Sequence, residues 1–342
     1  MTGVSGALLR VEDLSKSFPV KQVFLDRLRG GPKPVVRALT GVTLEVRRGE
    51  TLGLVGESGC GKSTLARCLV RLYEAESGTI EYDGADVRAL SGGALRAYNR
   101  RVQMIFQDPY SSLNPRMTVA QTLAEALSVH RVCSPREVKG RVYELLELVG
   151  LPPSAAPRLP HEFSGGQRQR IGIARALSVE PECLVADELV SALDVSVQAQ
   201  VVNLLLELQE KLQLTVLFVA HDLRLVRHIS HRVAVMYLGN IVEVADTDDV
   251  FARPQHPYTQ ALLAAAPDLD PAKKSVIAAV QGELPSPLKV PSGCPFHTRC
   301  PHAFSRCVAE KPALLPHLPG HLTACHLYAA AGQGRPGAGA PH

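Results

Sequence analysis

Apolar runs of strand length alternate with segments of helical periodicity along most of this chain. The runs predict strands at residues 8–18, 42–46, 51–55, 102–106, 183–187, 215–220 and 232–239. Helices are predicted at 62–73, where Leu65, Leu69 and Leu72 share one face, at 197–212, and between the last two strands. Because strands and helices alternate, the pattern predicts an α/β core with a parallel sheet.

A mainly helical segment, about residues 108–180, interrupts this alternation and is predicted to be an inserted helical subdomain. Within it, "REVKGRVYELLELVG" ends at Gly150, a residue suited to a helix C-terminus. Later the composition shifts toward Pro, His and Cys, and the closing "AAAGQGRPGAGAPH" is of low complexity. We therefore expect a core domain over 1–250, a C-terminal extension over 251–328 and a disordered tail over 329–342.

Composition narrows the class of protein. Apolar residues make up 46% and charged residues 20% of the 342 residues, which is ordinary for a globular protein. No apolar run is long enough to cross a bilayer, and the N-terminus lacks a signal-peptide pattern, so we expect a cytosolic location. Cysteines stay reduced there, and clustered cysteines favour metal over disulfides. A net charge of +4 without basic and aromatic clusters argues against nucleic-acid binding.

The segment "GESGCGKST" follows the apolar run "TLGLV" and precedes a predicted helix, which is the context of a P-loop. Its members are Gly56, Glu57, Ser58, Gly59, Cys60, Gly61, Lys62, Ser63 and Thr64. The three glycines let the backbone turn so that successive N–H groups, together with the helix N-terminus, face phosphate oxygens. Lys62 is expected to bind the β- and γ-phosphates, and Ser63 is expected to bind Mg²⁺.

A second segment, "CLVADE" at 183–188, is a buried apolar strand that ends in two carboxylates. Asp187 is expected to hold Mg²⁺, directly or through water, and Glu188 to activate the attacking water as a general base. A strand that ends in a solvated acidic turn is common, but beside a P-loop the catalytic interpretation is favoured.

Between these two segments, "FSGGQRQRIGIARAL" places a Ser-Gly-Gly nest before a helix and resembles the signature motif of ATP-binding cassette (ABC) proteins. The matching positions are Ser164, Gly165, Gly166 and Gln167, with Phe163 where leucine is usual. Further segments resemble the rest of the family pattern in order and spacing. They are Gln107 of the Q-loop, "SALD" with Asp194 of the D-loop, the switch histidine His221, and Phe18 at the position that stacks on adenine.

The resemblance implies a P-loop NTPase fold of the α/β class. Its parts are a RecA-like parallel-sheet core, an antiparallel β subdomain, a helical signature subdomain and a small metal-bound C-terminal extension. It also implies that two cassettes sandwich two ATP molecules, each between one P-loop and the other chain's signature. Glu188, His221 and Gln107 would then be catalytic, and Ser63, Gln107 and Asp187 would hold Mg²⁺.

One position departs from the family pattern. Leu189 follows Glu188 where proline is usual, which leaves that turn freer and restores a backbone N–H. Both carboxylates remain, so we predict that ATPase activity persists.

Several segments, among them "FQDPYSSLNPRMTV" and "PQHPYTQALLAAAP", resemble the F-type ATPase subunits of oligopeptide and dipeptide importers. This resemblance implies a motor subunit at the cytoplasmic face of the cell membrane, bound peripherally. The implied partners are a homologous D-type ATPase subunit, two membrane permeases and an extracytoplasmic substrate-binding protein. The alternatives are the ATPase of a nickel or other small-solute importer, an exporter motor, and a soluble ABC ATPase that transports nothing.

Four cysteines of the extension, Cys294, Cys300, Cys307 and Cys325, have the spacing C-x5-C-x6-C-x17-C. This spacing matches neither common zinc sites nor bacterial ferredoxins, and leaves open unrelated buried cysteines, zinc or an iron–sulfur cluster. The segment is poor in core residues, so a metal would supply stability. The resemblance to peptide-importer subunits favours a [4Fe–4S] cluster over Zn²⁺.

The remaining candidate ligands need no metal. His297, His302 and His326 are interpreted as surface histidines. Of the other cysteines, Cys60 lies in the P-loop and Cys68 on the following helix. Cys183 begins the strand that ends in two carboxylates, and Cys133 lies in the helical segment.

Overall fold

Strands that are apolar on both faces build the central sheet. The computed structural model describes residues 6–20, 34–108, 112–265 and 285–328. The five parallel strands of this sheet are β3 (Thr51–Val55), β6 (Val102–Ile105), β7 (Cys183–Asp187), β8 (Thr215–Ala220) and β9 (Arg232–Tyr237). They run side by side in the order β9–β3–β8–β7–β6. The predicted parallel α/β core is thus confirmed.

The two faces of this sheet pack against different layers. In β8, Val216 and Phe218 belong to one hydrophobic cluster, whereas Leu217 and Val219 belong to a second one. The alternation follows from the two-residue period of a strand. Because both layers are apolar, the strand reads as a continuous apolar run in the sequence.

An antiparallel sheet covers the second face. Its strands are β1 (Ala7–Pro19), β2 (Val35–Arg47), β4 (Ser77–Tyr82) and β5 (Ala85–Asp86), in the order β2–β1–β4–β5. The strand predicted at 42–46 is therefore the end of a longer strand. Leu9, Leu14 and Val42 of this sheet pack in the same cluster as Leu52 and Leu54 of β3.

Helices fill the connections between the strands. In chain order they are α1 (Lys62–Leu69), α2 (Gly92–Arg101), α3 (Val119–Val129), α4 (Val138–Leu148), α5 (Gly165–Leu177), α6 (Val195–Leu212), α7 (Leu223–Ile229), α8 (Thr247–Ala252), α9 (Pro257–Ala265) and α10 (Ser305–Ala309). As predicted, α4 gives way to a left-handed Gly150, at φ +68°. The described helices do not include one that is long and apolar enough to cross a bilayer.

Further predicted boundaries are also wrong. The helix predicted at 62–73 ends at Leu69, because Arg71 takes a left-handed conformation and the Leu72 N–H bonds back to the Arg67 carbonyl. This is a Schellman-type ending, and it leaves Leu72 54% exposed. The strand predicted at 232–239 ends at Tyr237, where a turn through Gly239 leads into the unpredicted strand β10 (Asn240–Asp246).

The C-terminal extension joins the central sheet. Strand β12 (His321–Thr323) pairs with β10, and β11 (Leu315–Leu318) pairs with β12. The sequence pattern, which lacks apolar periodicity here, predicted neither strand. The tail predicted at 329–342 lies outside the described residues.

Candidate nucleotide site

The P-loop and three polar residues follow parallel strands of the central sheet. The P-loop follows β3, Gln107 lies after β6, Glu188 follows β7 and His221 follows β8. The carboxyl ends of parallel strands share one edge of a sheet, where ligands of such folds bind. The topology therefore places these segments of distant sequence beside one another.

The P-loop spans the residues between β3 and α1. At Gly61 φ is +112°, and a Cβ atom there would lie 2.4 Å from the Ala38 carbonyl oxygen, so only glycine fits. The Lys62 side chain is buried, and its Nζ donates to the carbonyls of Gly56, at 2.8 Å, and Glu57, at 3.1 Å. The lysine charge is thereby held inside the loop.

Ser63 and Asp187 form a direct pair. The Ser63 hydroxyl donates to Asp187 Oδ1 at 2.8 Å, and the Asp187 side chain is buried. Burial raises the pKa of Asp187, and the hydrogen bond from Ser63 acts in the opposite direction. A buried carboxylate beside a hydroxyl is the oxygen donor set that Mg²⁺ takes in nucleotide sites, so these residues fit the predicted ion.

Glu188 lies between Gln107 and Lys62. The Gln107 Nε2 donates to Glu188 Oε2 at 2.7 Å, and Lys62 Nζ lies 4.0 Å from Glu188 Oε1. The backbone of Glu188 is left-handed, at φ +46°, and its N–H donates to the Val219 carbonyl of β8 at 3.0 Å. A strained backbone held by a neighbouring strand is typical of functional residues.

His221 shares a small cavity with Glu188. The cavity lies behind the end of β8, and its lining also includes Leu189 and Gln198. His221 itself is exposed, whereas Leu189 is buried in the core. An exposed imidazole beside a carboxylate is placed to contact a ligand that enters at this edge.

The signature segment begins α5. Ser164 Oγ accepts from the Gln167 N–H at 3.3 Å, and the Gln167 side chain accepts from the Ser164 N–H at 3.1 Å, which forms a capping box. A Cβ at Gly166 would lie 2.3 Å from Val197 Cγ1 of α6, and one at Gly165 would lie 3.0 Å from Leu193 Cδ2. The close packing of α5 on α6 therefore requires small residues here.

Ser164 and Gln167 are exposed, and so is Asp194 at the N-terminus of α6. Among the residues that the structure describes, no hydrogen bond connects these side chains to the P-loop. Phe163, by contrast, is buried, with the Arg158 guanidinium 4.3 Å from its ring centre. The Phe163 ring, which is larger than the leucine usual at this position, is thus accommodated in the core.

Phe18 lies near the end of β1, on the antiparallel sheet. Its ring packs edge-on against Tyr73, with 5.3 Å between the ring centres, and Lys16 Nζ lies 5.2 Å from its centre. The side chain is half-buried. The aromatic surface is thus partly covered by residues of this chain.

Sequence analysis missed two residues that contact the P-loop. The Tyr258 hydroxyl accepts from the Glu57 N–H at 2.9 Å, and the Arg299 guanidinium bonds both carboxylate oxygens of Glu57, at 2.9 and 3.1 Å. Both residues come from the C-terminal extension. A carboxylate within a phosphate-binding loop is stabilised by a nearby cation, and Glu57 is therefore the signal that could have pointed to a partner such as Arg299.

The four cysteines of the extension are neighbours. The Cys294 N–H donates to the Cys307 carbonyl at 2.8 Å. Burial raises the pKa of Cys325 to about 12, and the charges of Cys294, Cys300 and Cys307 add to this shift. All eight cysteines lie among the described residues, and none of them forms a disulfide.

Within the described ranges, no three His, Cys, Asp or Glu side chains are arranged to hold a metal ion. The structure therefore does not support the predicted metal-bound extension. The extension is instead held by other contacts: Phe296 is buried against Tyr237 and Tyr258, and β12 pairs with the central sheet.

The three histidines of the extension that were interpreted as surface residues differ in exposure. His302 is exposed. His326 is buried, with its Nε2 2.9 Å from the Glu310 carbonyl oxygen, so its interpretation as a surface residue is wrong. His297 is partly buried and contacts the Cys294 carbonyl.

Two family profiles match the chain. The one described as ABC transporter matches residues 39–191, which include the P-loop, the signature and Glu188. The one described as oligopeptide/dipeptide transporter, C-terminal region, matches residues 242–307, which include Tyr258, Arg299 and three of the four cysteines.

Curated relatives match over nearly the whole chain. A probable peptide ABC transporter ATP-binding protein of Sinorhizobium fredii is 52% identical, over 96% of this chain and 92% of the relative. An oligopeptide transport ATP-binding protein of Bacillus subtilis is 50% identical, over 94% of this chain and 97% of the relative.

Solved structures match the fold. Part of a cbiONQ ABC transporter complex, cbiO1 of Clostridium perfringens, superimposes with a TM-score of 0.61 at 27% identity, over 72% of this chain and 91% of that one. The ATP-binding cassette MJ0796, in a dimer bound to ADP and Pi, gives 0.60 at 26% identity, over 70% of this chain and 98% of that one.

Proposed function

Since the chain belongs to the family of ABC transporter ATP-binding proteins, we propose that it is the ATP-hydrolysing motor subunit of an importer of di- and oligopeptides. The family is an ATPase family, and the fold is its P-loop cassette. The peptide cargo is supported by the match to the oligopeptide/dipeptide C-terminal region and by the peptide-transport names of the relatives.

One observation carries the ATPase part of the proposal. The Ser63–Asp187 and Gln107–Glu188 pairs meet Lys62 at one edge of the central sheet. Lys62 would bind the phosphates as a fixed charge. Mg²⁺, held by Ser63, Asp187 and Gln107, would neutralise charge on the phosphate oxygens.

Glu188 is proposed as the general base that takes a proton from the attacking water. Gln107 orients its carboxylate through the hydrogen bond to Oε2. His221, at the same edge, is proposed to contact the γ-phosphate, and Phe18 to stack on the adenine. Leu189 packs behind Glu188 in the core, which supports the prediction that hydrolysis persists without the usual proline.

We propose that the signature residues act on a second cassette. Ser164, Gln167 and Asp194 are exposed and outside hydrogen-bonding contact with this chain's own P-loop, which supports a role at ATP bound to a partner. The proposed partner is a homologous D-type subunit. Two membrane permeases and an extracytoplasmic substrate-binding protein would complete the assembly, and the permeases would hold this chain at the cytoplasmic face of the membrane.

We also propose a division of the chain into three parts. Residues 1–250 would form the cassette with a helical subdomain over about 108–180, 251–328 the extension, and 329–342 a disordered tail. Limited proteolysis that first removes the tail and leaves the extension attached would agree with the pairing of β12 with β10.

We also propose that Cys294, Cys300, Cys307 and Cys325 bind a [4Fe–4S] cluster, with Zn²⁺ as the alternative. The support is their mutual proximity and a donor set of four thiols, which both take. Binding would require the thiols to move to ligand positions, and no step of ATP hydrolysis depends on it.

The proposal is tested by tagging this chain and purifying it from membranes. We expect two permeases and a second ATPase subunit to co-purify, and cells with Lys62→Ala to lose ATP-dependent uptake of labelled di- and oligopeptides. Co-purification with ribosomes, or normal peptide uptake by the variant, would contradict it. Uptake of nickel instead of peptides would favour the alternative cargo.

A further inference from the structure

Glu57 connects the C-terminal extension to the P-loop. Its side chain and its N–H point to the extension, where they bond Arg299 and the Tyr258 hydroxyl. Its carbonyl points into the loop, where it accepts from Lys62 Nζ at 3.1 Å and from the Cys60 N–H at 3.2 Å. One residue thus lies between the extension and the lysine that binds phosphate.

Arg299 is held in place by its own surroundings. Its side chain is only 7% exposed. The backbone N–H of Arg299 donates to the Phe296 carbonyl, at 3.0 Å, and the Phe296 ring packs on Tyr237 and Tyr258. The guanidinium is therefore fixed before ATP arrives, and a bidentate contact from a fixed guanidinium also fixes its partner.

Tyr258 is also held by a set of hydrogen bonds. Its N–H donates to His256 Nδ1 at 3.0 Å, and burial lowers the pKa of His256 to about 4, so this nitrogen is free to accept. The His256 N–H in turn donates to the buried carboxylate of Glu243, at 3.0 Å. Glu243 also contacts His321 of β12, at 2.6 Å.

The charge of Glu57 makes this arrangement relevant to ATP. A carboxylate on a phosphate-binding loop repels the phosphates of ATP, and the repulsion is strong where little water intervenes. Arg299 neutralises that charge and holds the carboxylate away from the loop interior. Without it, Glu57 would be unpaired and free to compete with the phosphates for Lys62.

We infer that Arg299 and Tyr258 are positioning residues for ATP, which act through Glu57 to hold the P-loop in its binding shape. The inference rests on the proposed ATPase function and gives the extension a role in it. Both residues bond the loop through Glu57, whereas the proposed base Glu188 lies at the end of another strand, so their effect is expected on ATP affinity more than on the chemical step.

The test measures ATP hydrolysis by the purified transporter that contains the full chain. We expect Arg299→Ala to raise the KM for ATP roughly tenfold, the order expected when a hydrogen bond to a charged group is lost, and to lower kcat much less. Arg306→Ala is the matched control, because Arg306 lies on the same extension but pairs with Glu310 at the surface. Its KM is expected to equal that of the wild type.

Two further variants separate the contact from general damage to the fold. Arg299→Lys keeps the charge but not the bidentate contact, so its KM should lie between those of the wild type and Arg299→Ala. In the double variant Glu57→Gln/Arg299→Gln neither charge remains, and its KM should be closer to the wild-type value than that of Arg299→Ala. If Arg299→Ala does not fold, a wild-type KM in Arg299→Lys overturns the inference.

A wild-type KM in Arg299→Ala would also overturn it, as would a double variant as impaired as the single one. Lys62→Ala distinguishes this failure from a failure of the proposed function. If Lys62→Ala abolishes hydrolysis while the Arg299 variants behave as wild type, only the inference fails. If Lys62→Ala hydrolyses ATP normally, the proposed function itself fails.

Discussion

Gln107 donates a hydrogen bond of 2.7 Å to the Glu188 carboxylate, across 81 residues of sequence. The contact places the proposed general base beside the first residues of the segment that leads into the helical region. The hydrogen bond uses Oε2 of Glu188, and the other oxygen, Oε1, lies 4.0 Å from Lys62 Nζ.

Glu188→Gln is expected to lower the rate of ATP hydrolysis about 10²- to 10⁴-fold, since the amide cannot accept a proton from water. ATP binding should remain, because the P-loop is unchanged. Hydrolysis by the purified transporter and binding of a fluorescent ATP analogue measure the two effects. Glu210→Gln, an exposed change on α6, is the control and should leave both unchanged. Equal hydrolysis in Glu188→Gln and the wild type would exclude Glu188 as the base.

Asp187→Asn is expected to stabilise the nucleotide-free protein. Burial raises the pKa of Asp187, so the ionised form is disfavoured in the folded state. The contribution of this group to stability is therefore present at acidic pH and is lost as pH rises through the raised pKa. Thermal melting should show a higher Tm for the variant at pH 7.5 than for the wild type, and a smaller difference near pH 4.

The same variant should lose the stabilisation by Mg²⁺-ATP, since asparagine lacks the charge that holds the ion. Asp246→Asn, at an exposed position, is the control for the loss of one negative charge. A wild type that is more stable than Asp187→Asn at pH 7.5 without nucleotide would show that the favourable interactions of the charged carboxylate with Ser63, Arg67 and Lys62 outweigh the burial.

His321→Ala is expected to destabilise the protein by about 1.5–3 kcal/mol, the range for a lost hydrogen bond to a charged group. Both His321 and Glu243 are buried, and the carboxylate would keep only the N–H donors of Gln255 and His256. Denaturant unfolding measures the change. His228→Gln, on the exposed face of α7, should shift the midpoint little. Equal shifts for the two variants would mean that the buried pair contributes nothing specific.

The cysteine proposal is tested by metal content. Protein purified without oxygen should contain about four iron atoms and four acid-labile sulfides per chain if the cluster is a [4Fe–4S] centre. Cys307→Ser should abolish both, whereas Cys133→Ser, in the helical region, should not. Stoichiometric zinc without sulfide would favour the alternative, and neither metal would reject the proposal.

The sequence could predict the inner strands because they are covered on both sides. Residues 51–55, 183–187 and 215–220 coincide with the observed strands, since burial on both faces leaves continuous apolar runs with polar ends. The end of α1 could not be predicted, because nothing in the residue type of Arg71 indicates a left-handed backbone.

The nucleotide site likewise has a part that the sequence could predict and a part that it could not. The P-loop could be predicted because its functional residues, among them Lys62 and Ser63, lie within one short segment of the sequence. The contact of Arg299 with Glu57 spans 242 residues and depends on how the extension packs, which periodicity does not determine. The hairpin of β11 and β12 was missed for a related reason. The edge strand β11 is mostly exposed, and the buried positions of β12 are the polar residues His321 and Thr323, so neither strand shows an apolar run.

ATP hydrolysis by this chain is proposed to drive peptide import. The most direct test is uptake of a labelled peptide into proteoliposomes that contain the purified permeases, both ATPase subunits and the binding protein, with ATP supplied on the side of the ATPase subunits. We expect uptake to require ATP and to stop when this chain carries Glu188→Gln. Uptake that continues at the wild-type rate with Glu188→Gln, or that proceeds without ATP, would contradict it.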